Sequence, residues 1–417
     1  MSLSYRKGRG GLALAGLACG PTLLAVSAPV LGAEYFVQPV ATVTAEQNSN
    51  IDLDPFNPSR VAGYGADAAA LIGVATPDSE TTIKPRIRYA DYPKESTLNR
   101  VEGMVDFSTR LSAPRSLFTV SGRFDHLNDT EAEAPSAQFN EVNPNAPTTS
   151  DAGRVQFGVT RNYVILQPRY QYQVAPLVTL GASALFQNES FSVSNPADTI
   201  GHVNFNYYLG DFFVSRKFGE KTELLIGGFA SRYAADNVSP LKSNASASGA
   251  NVGLEYHWSK ALEVDLAASF QHSTIDSTLT PAFVGTSHNW GASGGLTYSG
   301  EANTFRLDIG RSITPGSVGS LYSDDHLHIE LDRQISERLS YVLAARAVAT
   351  RGLWSNVGSD DRNYVRGDTS VKWMINRTLI VQGGYSYFWQ RYRTDPFSAE
   401  NNQFYIRFGY QGLPPQR

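Results

Sequence analysis

The chain holds a single cysteine, Cys19, only three methionines, and no long unbroken apolar run after residue 33. One cysteine close to the amino terminus excludes a disulfide framework and a thiolate metal site. Membrane helices need about twenty consecutive apolar residues, so any membrane crossing after residue 33 has to be made by strands. Catalytic signatures are scarce too: neither a His-Glu-x-x-His zinc motif nor a phosphate-binding glycine loop occurs. The dipeptide His272-Ser273 is the nearest approach to a base beside a nucleophile. Without an orienting acid it predicts neither an enzyme nor a cofactor.

What is present begins with Arg6, Lys7 and Arg9, ahead of an apolar stretch from Gly11 to Val30 that is broken by Gly20 and Pro21 and leads into Leu31-Gly32-Ala33. This is the layout of an export signal peptide over residues 1–33, with cleavage expected after Ala33 and residues 34–417 left as one domain. Lipidation at Cys19 would need a large aliphatic residue where Gly16 stands. Residues 1–33 carry three cations and no acid, so their removal takes the net charge from -4 to -7. That acidic balance speaks against nucleic acid as a partner.

Beyond the leader, apolar and polar residues alternate with the period of two that marks a strand. In Phe305-Arg306-Leu307-Asp308-Ile309 one face is apolar and the other charged, and Leu262, Val264, Leu266, Ala268 and Phe270 form a similar apolar row with Glu263 and Asp265 between them. The rhythm predicts about eighteen strands (16–18), among them segments at 66–75, 154–174 and 287–299. A soluble sandwich shares this alternation, so the links decide between them. Every second link is very short, as at Ala175-Pro176, Gly219-Glu220, Ser259-Lys260 and Ser336-Glu337, and the others are mostly longer and polar, above all 47–65 and 127–153. This pattern is expected of an all-β, antiparallel up-and-down transmembrane barrel with short periplasmic turns and longer extracellular loops. Tyr385, Tyr387 and Trp389 share one strand face, in the manner of an interfacial aromatic girdle. The last strand sets Phe404, Ile406, Phe408 and Tyr410 against Arg407 and Gly409, and resembles the closing strand that the outer-membrane insertion machinery recognises. The expected location is the bacterial outer membrane, with its lipid and lipopolysaccharide as surroundings.

In such a barrel the polar strand faces line a lumen. The candidates for a solute pathway are Lys84, Arg86, Arg88, Arg169, Arg306, Asp308, Glu330, Arg346, Arg366, Asp368, Lys372 and Arg407. Opposite charges on adjoining strands keep a water-filled channel open and give a passing solute a graded field. The same residues would also fill a narrow interior that nothing crosses. The 47–65 and 127–153 links are the segments expected to fold in if the lumen is constricted. His326, His328, Glu330 and Asp332 share a strand face. Two imidazoles at that spacing suit a transition metal, but polar lumen lining accounts for the row equally well and no metal is expected.

Three stretches carry a family likeness. They are Phe36-Val37-Gln38-Pro39-Val40 leading into Glu46-Gln47-Asn48-Ser49-Asn50-Ile51, then Ile83-Lys84-Pro85-Arg86-Ile87-Arg88-Tyr89, then Gln167-Pro168-Arg169-Tyr170. Together they resemble the porin-like outer-membrane barrels encoded in bacterial exopolysaccharide biosynthesis and export loci. The resemblance spans most of residues 34–417, as a strand rhythm with loose motifs. It implies export or surface anchoring of a secreted polysaccharide, in company with periplasmic export components. The residues alone leave open a general or substrate-selective diffusion porin for small solutes, or a surface-binding barrel without an open channel.

Overall fold

The computed structural model describes residues 32–128, 137, 159–193, 202–236, 242–278, 283–316, 320–354, 361–393 and 397–413. The expected leader falls outside them up to residue 31, and so does most of the 127–153 link, from which only Asn128, its neighbour Leu127 and Ala137 are described. The first nine strands are β1 (Glu34–Asn48), β2 (Val61–Ala75), β3 (Ser79–Asp91), β4 (Arg100–Ala113), β5 (Ser116–Asn128), β6 (Val159–Ala175), β7 (Val178–Val193), β8 (Asn204–Lys217) and β9 (Thr222–Asp236). The second nine are β10 (Lys242–His257), β11 (Leu262–Ser277), β12 (Phe283–Ser299), β13 (Asn303–Gly316), β14 (Ser320–Ser336), β15 (Leu339–Gly352), β16 (Arg362–Met374), β17 (Leu379–Tyr392) and β18 (Ser398–Gln411).

Each strand pairs antiparallel with its sequence neighbours, and β18 returns to β1 in a register from Val40↔Gln411 to Asn48↔Gln403. The eighteen strands therefore form one closed up-and-down barrel. Closure pairs the first strand with the last and leaves no free sheet edge. Several strands depart from the bounds read from alternation. β2 begins at Val61 and β12 at Phe283, while β6 begins at Val159. The early starts arise because the backbone ladder continues where the side-chain pattern fades, as in the pair Asn48↔Val61.

The short links close by local hydrogen bonds. The Asn376 side-chain oxygen accepts from the N–H groups of Thr378 and Leu379, each at 2.8 Å, an Asx turn that needs no long connection. In the link between β8 and β9, Gly219 takes a φ of 81°, which glycine adopts without the steric cost of a Cβ.

The polarity of the wall is inverted relative to a soluble protein. Val37, Phe404 and Ile406 point outward and are 64%, 60% and 65% exposed. Glu102, Asp125 and Arg161 point inward and are buried. A barrel whose outer wall meets lipid and whose interior is polar has this arrangement, and a soluble one has its reverse. Toward the long-link end the interior is itself packed. Phe205, Tyr207, Tyr233, Ile275, Leu321 and Trp354 form an apolar cluster there. The Tyr233 hydroxyl donates to the Gly316 carbonyl at 3.0 Å, and β9 and β10 approach β14 without pairing with it. The barrel is thus drawn together across its lumen on this side.

Candidate functional site

The alternation of burial along the strands puts the pathway candidates on the inner face. One hydrogen-bonded row runs around the wall through Asp308, His328, Arg346, Arg366 and Phe388, on β13 to β17. Beside it, Arg306 donates to Glu330 at 3.4 Å and the Arg366 Nε donates to both oxygens of Asp368 at 3.0 Å. Asp308 engages the His326 ring at 2.7 Å. Arg366 lies over the Phe388 ring, 4.2 Å from its centre, and Arg407 over Tyr405 at 4.5 Å. The second charged region is on β2 to β4, where the Arg86 Nε donates to Asp67 at 2.7 Å and Arg88 reaches Glu102 at 3.3 Å. Lys84 lies on this inner face too. Arg169 stands apart from these pairs, above the Phe213 ring, and Lys372 faces Gln382 across β16 and β17.

Residues of two links lie inside this lumen. In the β1–β2 link, Leu53 is 5% exposed and packs on Val348, Tyr364, Phe388 and Ala399, all inner-face residues of β15 to β18. The segment is clipped to β18 by Asn401, whose side-chain oxygen accepts from the backbone N–H groups of Ser49 at 3.0 Å and Asn50 at 2.8 Å. Asn50 in turn closes the loop on itself: its amide donates to the Asp54 carbonyl at 2.9 Å, and its oxygen accepts from the Asp54 N–H at 3.1 Å. Burial in this fold holds the Asp52 carboxyl above its ordinary range, opposed in part by a hydrogen bond from Ser59. From the β5–β6 link, Ala137 is fully buried. Its N–H donates to Asp368 at 2.7 Å, and its carbonyl accepts from the His328 ring. Both of the links singled out as constriction segments therefore place a residue against the charged row.

This geometry also explains the histidine row. His326, His328, Glu330 and Asp332 do share the inner face, but His326 lies between Asp308 and Asp324 and His328 holds Ala137. Their partners are protein groups. Among the described residues, one trio brings three ligand atoms within 4.8 Å: Glu255, His257 and Glu263, at the short-turn mouth. These side chains are close to half exposed. His272 and Ser273 point to opposite faces of β11, with His272 beside the His288 ring outside and Ser273 bonded to Gln271 inside. A Gly-x-Ser-x-Gly spacing at Gly291 to Gly295 lies in extended strand within β12, not on the sharp strand-to-helix turn that such a nucleophile needs.

Sequence reasoning missed several deeply buried charges. Arg161 and Glu189 pair across β6 and β7 at 3.6 Å, and the Arg123 Nε holds Asp125 at 2.8 Å. The signal was available, since Arg123 and Asp125 are spaced by two and so share a strand face.

No family model matches the chain, and no curated protein matches it. Among solved structures, the chain is similar to OccK2 (OpdF) of Pseudomonas aeruginosa, with 8% identity and a TM-score of 0.43 over 91% of this chain and 98% of that one. It is similar to OccAB3 of Acinetobacter baumannii, with 10% identity and a TM-score of 0.43 over 91% and 99%. A loop L8 deletion form of OmpT, an outer membrane protein of Vibrio cholerae, gives 14% identity and a TM-score of 0.36 over 91% and 99%. These are likenesses of architecture alone.

Proposed function

We propose that the chain is an outer-membrane diffusion pore for small polar solutes, selective because its own links narrow a charged lumen. The observation that carries this reading is the burial of Leu53 and Ala137 against the inner wall, beside the row Asp308, His328, Arg346 and Arg366. Charges in a narrow passage act on a solute at short range and with little water between, so both size and charge are selected there. The inverted wall polarity supports the membrane setting. In this reading the leader is removed after Ala33, the insertion machinery recognises β18, and the mature chain starts at Glu34, which N-terminal sequencing of membrane-fraction protein checks. Purified protein in planar bilayers is expected to give stepwise conductance, and liposome swelling rates are expected to fall with solute size. Folded, inserted protein that stays electrically silent refutes the pore and favours a barrel that only binds at the surface.

Export or anchoring of a secreted polysaccharide, with periplasmic partners, rests on the family resemblance alone. A polymer has to thread past Leu53 and Ala137. Loss of surface polymer on gene deletion, with small-solute uptake intact, would favour that second reading.

A further inference from the structure

Among the described residues, the outer wall carries an indentation that the pore does not use. Across β7, β8 and β9, Ala184, Gly210 and Ala230 lie side by side in one hydrogen-bonded row. All three face outward and are exposed. In the next outward row, toward the long links, Phe186, Tyr208 and Arg232 are likewise in register. The rings of Phe186 and Tyr208 lean on each other with centres 5.3 Å apart. Small side chains below and large ones above leave a groove of about 430 Å³ bounded by these residues. A Cβ added at Gly210 would meet nothing within 4 Å, so the floor opens to space.

Arg232 sets the chemistry. It is exposed at the long-link end of an outward row on β9 in which Leu224, Ile226, Gly228 and Ala230 carry no charge, with Ser246 of β10 in register beside it, and among the described residues no acid forms an ion pair with it. Ten residues separate it from Thr222 at the short-turn end of β9. At about 3.4 Å per residue and a tilt of about 40°, that is roughly 26 Å of height, against an apolar band about 25 Å tall. The guanidinium thus lies at the long-link border of the band, where lipid phosphates lie, and a guanidinium binds phosphate through paired hydrogen bonds.

We infer that this groove binds a phosphorylated glycolipid of the outer leaflet, with an acyl chain along Ala184, Gly210 and Ala230 and a phosphate on Arg232. The inference rests on the outer-membrane orientation proposed for the barrel, which puts the long-link side in the leaflet that lipopolysaccharide occupies. Charge complementarity and the apolar trough together select such a ligand, because a phosphate pairs with the guanidinium while an acyl chain fills the trough below it.

The test uses full-length protein purified in mild detergent and titrated with diphosphorylated lipid A, monitored by native mass spectrometry. Arg232→Gln is expected to weaken binding about tenfold, as the loss of one charge-assisted contact does. Gly210→Leu, which fills the groove, is expected to weaken it similarly, while Arg391→Gln, elsewhere on the outer wall, leaves it unchanged. Equal binding by wild type, Arg232→Gln and Gly210→Leu overturns the inference. So does a preference for phosphatidylglycerol over lipid A, or a dimer that Gly210→Leu abolishes. If Gly210→Leu does not fold, Arg232→Gln decides alone. Insertion and conductance of the wild type are read in the same preparation: their failure sinks the outer-membrane reading, whereas normal conductance with unselective lipid binding sinks only the groove.

Discussion

Leu53 offers a sharp test of the constriction, because its side chain and its backbone oppose each other. The side chain is buried against Val348, Tyr364, Phe388 and Ala399, and truncating a buried leucine to alanine costs about 2–5 kcal/mol. Its φ is 51°, a left-handed conformation that costs a residue with a Cβ roughly 1–2 kcal/mol. Leu53→Ala loses the burial and keeps the strain. Leu53→Gly loses the same burial but releases the strain, less about 0.5–1 kcal/mol for the extra freedom glycine has when the segment is loose. If about 3 kcal/mol is lost in Leu53→Ala, the ratio of loose to tucked segment rises about 150-fold. Leu53→Gly falls short of that by about 1 kcal/mol, or about fivefold. Single-channel recording reads this as time spent at a larger conductance level, in the order Leu53→Ala, Leu53→Gly, wild type. If Leu53→Ala matches the wild type, the segment does not restrict the pathway. If Leu53→Gly is the more disruptive of the two, the backbone argument fails.

Other predictions address the same lumen. Asp368→Ala leaves the buried N–H of Ala137 without its acceptor, a loss of about 1.5–3 kcal/mol for a bond to a charged group. Since cysteine is missing after residue 33, Ala137→Cys is a clean probe: a water-soluble maleimide should label it slowly, and faster once Asp368→Ala is added. Equal rates would show that Asp368 does not hold the segment. Arg86→Gln combined with Arg88→Gln removes both cations from Asp67 and one of the two from Glu102, which keeps Arg100, so the zero-current potential in a salt gradient should shift toward cation selectivity. An unmoved potential places the β3 charges off the pathway. Asp52, with its pKa raised chiefly by burial, ties the loop to pH. A raised folded value favours the tucked segment when the carboxyl is protonated, and this contribution is full below the unfolded pKa and lost as pH rises through the folded one. Conductance should therefore fall on acidification in the wild type and respond less in Asp52→Asn. Identical pH profiles would remove Asp52 from the account.

The strand count, the closing strand and the inner or outer side of each candidate residue were legible in the chain, because they depend on a local period of two. Arg366 and Asp368 share a face by that spacing alone. The partners across strands were not legible in the same way. Arg346 adjoins Arg366 across the longer β15–β16 link, and His328 adjoins Arg346 in a register that depends on the exact β14–β15 turn. The pairing of β1 with β18 is the long-range step that closes the wall. The composition of the 47–65 and 127–153 links marked them as long and polar. It could not say that Leu53 would turn inward with a positive φ, or that Ala137 would lie between His328 and Asp368. Those contacts join residues far apart in sequence across a space that exists only once the wall is closed. Alternation determined what the wall is made of and which way each side chain points. Only the tertiary structure decided what stands in the lumen, because a loop's partners are whatever the completed barrel puts within its reach.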